Sequence, residues 1–110
     1  MAVYSNITID QGTDYSATID VTDTDGDALN LTGYTAAGQI RKTYSSSTKV
    51  DFTAAIANAS TGQVSLSLTS AVTDAMKAGR YVYDLEVTSS SGTKTRVLEG
   101  QIEVMPGVTR

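Results

Sequence analysis

The residues best able to do chemistry in this chain are carboxylates, and two groups of them have a spacing that matters. The run Asp23-Thr24-Asp25-Gly26-Asp27 puts acids at alternate positions, as the start of a calcium loop does when its side chains converge on one hard cation. Counted from Asp23, the sixth position should be the glycine of the sharp turn and is Ala28, and the twelfth should be a bidentate glutamate and is Tyr34. The run therefore reads as a solvated turn, and no metal-binding residue is assigned. Asp84 and Glu86 lie two apart within a strand-like alternation, which projects both carboxylates from one face. A carboxylate pair is the minimum for glycoside hydrolysis, but one Phe, six Tyr and no Trp are poor material for an aromatic-lined cleft. No catalytic residue is assigned, and the expectation is a protein that is not an enzyme.

What is missing narrows the chemistry further. The chain has no Cys and no His, which removes disulfides, thiol nucleophiles, Ser-His-Asp triads, imidazole acid/base catalysis and ordinary zinc sites. No cofactor-binding residue is assigned either. A net charge of -4 and a pI near 4.5 argue against binding nucleic acid, which needs clustered Lys and Arg to neutralise phosphates. The one basic pair, Arg41-Lys42, sits in a strand-like segment, where adjacent side chains face opposite ways. The chain start lacks the basic residues and apolar run of a secretion signal, and no apolar stretch nears the roughly 20 residues that span a bilayer. A soluble protein made in the cytoplasm, with no membrane partner, is expected. Three Asn-x-Ser/Thr triplets, at Asn6, Asn30 and Asn58, then read as chance matches in a Thr-rich chain.

The elements that must carry these residues are strands. Ser and Thr make up about a quarter of the chain and charged residues only 18%, a mix that favours pleated surfaces and turns over helices. Period-two alternation recurs in seven segments: Val3 to Asp10; Tyr15 to Val21; Tyr34 to Thr43; Val50 to Ile56; Gln63 to Leu68; Tyr81 to Thr88; and Thr93 to Val104. Their inward sets include Ile7 and Ile9, then Ala36, Gly38 and Ile40, then Val50, Phe52, Ala54 and Ile56, then Tyr81, Tyr83, Leu85 and Val87, and finally Leu98, Gly100, Ile102 and Val104. Tyr at inward positions reads as core, with its hydroxyl bonded at the rim. Turn signals separate the segments at Asp25-Gly26, Asn58 to Gly62 and Ser89 to Gly92, and Leu29 and Leu31 pin one loop to the core. Between Ser70 and Ala78 the spacing of Val72, Ala75 and Met76 changes to three and four, which predicts a short helix stopped by Gly79. Seven short strands in 110 residues predict one domain, 1–110, an all-β two-sheet sandwich of immunoglobulin-like type, with a closed barrel as the alternative.

Five segments carry a family resemblance: Ile7 to Tyr15 (ITIDQGTDY), Leu31 to Thr35 (LTGYT), Gln39 to Lys42 (QIRK), Gly79 to Val87 (GRYVYDLEV) and Val97 to Val104 (VLEGQIEV). The chain resembles the small immunoglobulin-like domains of tailed-phage structural proteins, including the N-terminal domain of baseplate upper proteins and similar modules of cyanophage virions. The resemblance implies a β-sandwich located in the virion, where it docks on or decorates the capsid, neck, tail or baseplate. Its implied partners are other virion proteins and further copies of itself. The expected contact surface is Val3 and Tyr4 at the chain start together with the outward face around Val82, Asp84 and Glu86. The alternative is a carbohydrate-binding module that stacks sugars on exposed Tyr4, Tyr34 or Tyr44.

Overall fold

The computed structural model describes residues 3–22 and 26–108. Alternating β-branched, aromatic and hydroxyl side chains build nine strands: β1 (Val3–Tyr4), β2 (Ile7–Asp10), β3 (Tyr15–Asp20), β4 (Thr35–Arg41), β5 (Val50–Asp51), β6 (Thr53–Asn58), β7 (Gln63–Leu68), β8 (Gly79–Thr88) and β9 (Lys94–Met105). One sheet runs β1-β9-β8-β4-β5, with β2 also on β9, and the other runs β3-β7-β6. The two form a β-sandwich with immunoglobulin-like order, in which the chain start pairs parallel with the last strand and every other pairing is antiparallel. The core between the sheets is aliphatic, with Ile9, Ile40, Val64, Leu66, Leu85 and Ile102 almost fully enclosed. Each such side chain stabilises the fold by roughly 1.5 to 3 kcal/mol.

The inward sets read from alternation face the core, with Ile7, Ala36, Val50, Ala54, Ile56 and Tyr81 only partly buried against it, and Leu31 is buried with Leu29 packed against the core. The turns also form where expected. Gly62 (φ 72°) closes a turn through its N–H to the Ala59 carbonyl, and Gly92 (φ 92°) does so through Ser89. Asp23, Thr24 and Asp25 lie outside the described residues. On either side of them, Thr22 and Ala28 form an antiparallel bridge, and Gly26 has φ 86°.

Two expected strands are broken. The segment from Val50 to Ile56 splits at Phe52: β5 belongs to the larger sheet and β6 to the smaller. Phe52 is the crossing point, with its N–H donating to the Gly38 carbonyl at 2.9 Å and its ring filling the space above Gly38, where a Cβ would approach to 3.1 Å. There the ring meets Tyr83 edge-on at 6.1 Å and Tyr15 at 6.5 Å. The segment from Val3 to Asp10 is interrupted at Ser5 and Asn6, although both halves keep the same register on β9.

The helix α1 (Ser70–Ala75) begins where predicted and ends three residues early. Thr69 caps it by accepting the Val72 N–H. At Met76 the backbone turns extended as that side chain enters the core, so Gly79 opens β8 and does not stop the helix. Thr73, completely buried, fastens the helix to the loop before β3: its hydroxyl donates to the Thr13 carbonyl at 2.7 Å and accepts the Gly12 N–H at 3.1 Å. At the start of β8 the Tyr81 hydroxyl donates to the Lys77 carbonyl at 2.7 Å, while the Lys42 ammonium lies 4.7 Å from the centre of its ring. The hydrogen bond is the tyrosine-corner arrangement of immunoglobulin-like sandwiches.

Candidate functional site

The outward residues of β8, its even-numbered positions, stand in the middle of the larger sheet with β4 on one side and β9 on the other. Val82 pairs with Arg41 and Gln101, Asp84 with Gln39 and Glu99, and Glu86 with Ala37 and Arg96. Because opposed residues in a sheet share a face, these side chains form one surface. The structure thus brings together Val82, Asp84 and Glu86 as expected, each half-buried among its neighbours.

Val3 and Tyr4 stand apart from each other. Both are exposed, at 59% and 60%, yet adjacent strand positions point to opposite faces. Tyr4 is in register with Glu99 and so shares the face of Asp84, whereas Val3 is in register with the inward Leu98 at the uncovered end of the sandwich. Only Tyr4 extends the outer surface.

One residue of this surface lies on the wrong parity for simple alternation. Arg96 is two positions before the inward Leu98, but the register between β8 and β9 shifts between Leu85 and Glu86, leaving Val97 as an extra residue. The bulge turns Arg96 outward, where its Nε lies 3.2 Å from the Asp84 carboxylate. An arginine at an inward position was the available signal for this bulge, and sequence reasoning missed it.

A loop completes the surface. Arg41 donates to the Ser46 carbonyl at 2.6 Å and to Gln39 Oε1 at 3.0 Å, holding residues 43–48 beside the sheet. That loop carries Tyr44, 76% exposed, to the border of a shallow depression of about 240 Å³ shared with Ala37, Val82, Glu86 and Arg96. The surface therefore offers the guanidinium groups of Arg41 and Arg96, the carboxylates of Asp84, Glu86 and Glu99, the exposed rings of Tyr4 and Tyr44 and a small apolar patch at Val82 and Ala37. Such a mixture suits contact with another surface. The two acids proposed for hydrolysis do share a face, but Asp84 is committed to Arg96. Among the described residues no three acids converge as a metal site would require. Lys42 faces away from Arg41, toward Tyr81, so the basic pair makes no joint patch. Of the three tyrosines considered for sugar stacking, Tyr34 is packed against the core, while Tyr4 and Tyr44 are open.

Residues 2–105 match the family model described as LtfC-like, beta-sandwich domain. No curated protein matches the chain. Among solved structures, the chain is similar to an internalin-like protein of Listeria monocytogenes, at 16% identity and a TM-score of 0.47, over 96% of this chain and 28% of that one. It is also similar to a family 123 glycoside hydrolase from Clostridium perfringens, at 13% identity and a TM-score of 0.45, over 97% of this chain and 23% of that one. The chain thus spans about a quarter of the length of these two proteins.

Proposed function

The chain belongs to the LtfC-like β-sandwich domain family, and from that premise we propose that it is a non-catalytic binding domain of a tailed-phage virion that docks on other virion proteins. The observation that carries the reading is the outer surface of the larger sheet. There Val82, Asp84, Glu86, Arg41 and Arg96 are held by backbone register and an ion pair, with a shallow depression between them in place of a cleft. Support also comes from the five segments, Ile7 to Tyr15 through Val97 to Val104, that resemble virion modules. Host recognition, metal binding and catalysis play no part in this reading.

Quantitative mass spectrometry of purified particles is the first test and should return a fixed copy number of this chain per virion. Binding of the purified domain to particles lacking it is the second. Ala37→Arg, which fills the depression, should abolish that binding without lowering the melting temperature. Particles that carry no copy of the chain refute the proposal.

One observation favours a second reading: Tyr44 stands open beside Arg41, Glu86 and Arg96, an aromatic ring flanked by polar groups as a sugar-stacking site requires. A carbohydrate-binding module would be retained on a polysaccharide and released by Tyr44→Ala. Hydrolysis of that polysaccharide, lost in Asp84→Asn, would instead point to an enzyme.

A further inference from the structure

The smaller sheet has an edge that the fold leaves open. The Val21 N–H donates to the Gly62 carbonyl at 2.7 Å, continuing the pairing of β3 with β7 one step past Asp20 and Gln63. Bonded and non-bonded pairs alternate along an antiparallel ladder, so Tyr15, Ala17 and Ile19 exchange bonds with β7, while Ser16, Thr18 and Asp20 turn their N–H and C=O groups to the far side. No backbone or side-chain group among the described residues takes them up. In an immunoglobulin-like sandwich the first strand commonly lies there, but here the chain start pairs with β9 in the other sheet.

The remaining edges are blunted. β1 and β5 have two residues each, β2 has four, and β6 has a register shift between Ile56 and Asn58. β3 has six residues in an unbroken register, with no proline, lysine or arginine. Its outward side chains Ser16, Thr18 and Asp20 are exposed, and its one charge is Asp20.

We propose that β3 pairs antiparallel with the β3 of a second copy, about a twofold axis at Thr18. The outward backbone groups then form three bonded pairs, Thr18 with Thr18 and Ser16 with Asp20 twice, giving about six hydrogen bonds and a continuous six-stranded sheet. The register is self-complementary in charge, because each Asp20 faces a serine hydroxyl of the other copy and never the other Asp20. The seam lies on the sheet opposite the docking surface and leaves that surface free, so two docking faces are carried by one dimer.

The test is light scattering on the purified domain over a concentration series, with variants at the seam. The wild type should move from monomer to dimer. Ser16→Asp sets like charges opposite each other twice per dimer and should weaken it about tenfold, whereas Ser16→Lys should tighten it. Thr35→Asp, the same charge change on the outer face of the larger sheet, should have no effect. Thr18→Pro removes an outward N–H that β7 does not use, so it should give a folded monomer, checked by circular dichroism. A monomer at every concentration overturns the seam, as does a dimer indifferent to both Ser16 variants. A monomer that still binds particles removes the seam and keeps the docking face; a dimer that ignores particles does the reverse.

Discussion

The Tyr83 hydroxyl donates to the Ser5 carbonyl at 2.7 Å, and that single bond accounts for the break between β1 and β2. In a parallel ladder the Ser5 N–H should go to the Glu99 carbonyl, as it does at 2.8 Å, and the Gln101 N–H should go to the Ser5 carbonyl. The Ser5 carbonyl instead turns toward Tyr83, and Asn6 supplies the missing acceptor: its Oδ1 takes the Gln101 N–H at 3.3 Å. A side chain thus stands in for a backbone group, and the register on β9 is the same before and after the break.

Tyr83→Phe keeps the ring against Phe52 and removes only the hydroxyl, leaving the Ser5 carbonyl without its donor. The expected cost is about 1 to 2 kcal/mol in urea denaturation, with faster hydrogen exchange at Ser5 and Gln101. Unchanged stability would mean that the carbonyl simply returns to the ladder.

Alkaline titration should expose the same residue. Burial pushes the Tyr83 hydroxyl up to about 12 and raises Tyr15 in the same direction. Between pH 10 and 12 the unfolded chain releases the Tyr83 proton while the folded chain keeps it, so this contribution to stability is complete below pH 10 and falls as pH rises through that window, with Tyr15 acting in the same direction. Denaturation midpoints at pH 9 and 11 should differ, and by less in Tyr83→Phe, where the Tyr83 contribution is gone.

Much of this architecture was legible in the residues, because period two has a direct physical meaning: one face in, one face out. The faces of Tyr83 and Leu85, of Ile102 and Val104, and of Asp84 and Glu86 follow from it without further information. Alternation says nothing about which sheet a strand joins, so the crossing at Phe52 could not be read. Its only trace is Gly38, a glycine at an inward position, where a ring needs the room. The outer surface of the larger sheet was half legible for a similar reason: Asp84 and Glu86 lie on their own strand, whereas Arg96 reaches them only through a bulge.

Gly100 tests the crossing of the chain start over β9. A Cβ there would overlap the Ser5 carbonyl oxygen. Gly100→Ala should therefore lift Ser5 from β9, break the bond to Tyr83 and cost about 3 kcal/mol, seen as a drop in melting temperature of roughly 10 to 20 °C. Gly92→Ala, in an open turn with no atom within reach of the new Cβ, should cost less, its penalty limited to backbone strain at positive φ.

Thr73→Val preserves shape and deletes the hydroxyl that joins helix α1 to the loop before β3. The Gly12 N–H and Thr13 carbonyl lose their partner together, at an expected cost of about 1 to 3 kcal/mol. Hydrogen exchange should accelerate in residues 11–14 and 70–76 and stay unchanged in β8.

The parallel alignment of β2 with β9 governs how the domain bears mechanical load. Opposed traction on its two flanks would pull these neighbours lengthwise past each other, stressing their hydrogen bonds in concert, where an antiparallel pair pulled from one end would unzip a rung at a time. A domain held at one end of the chain and pulled at the other would resist rupture through that geometry alone.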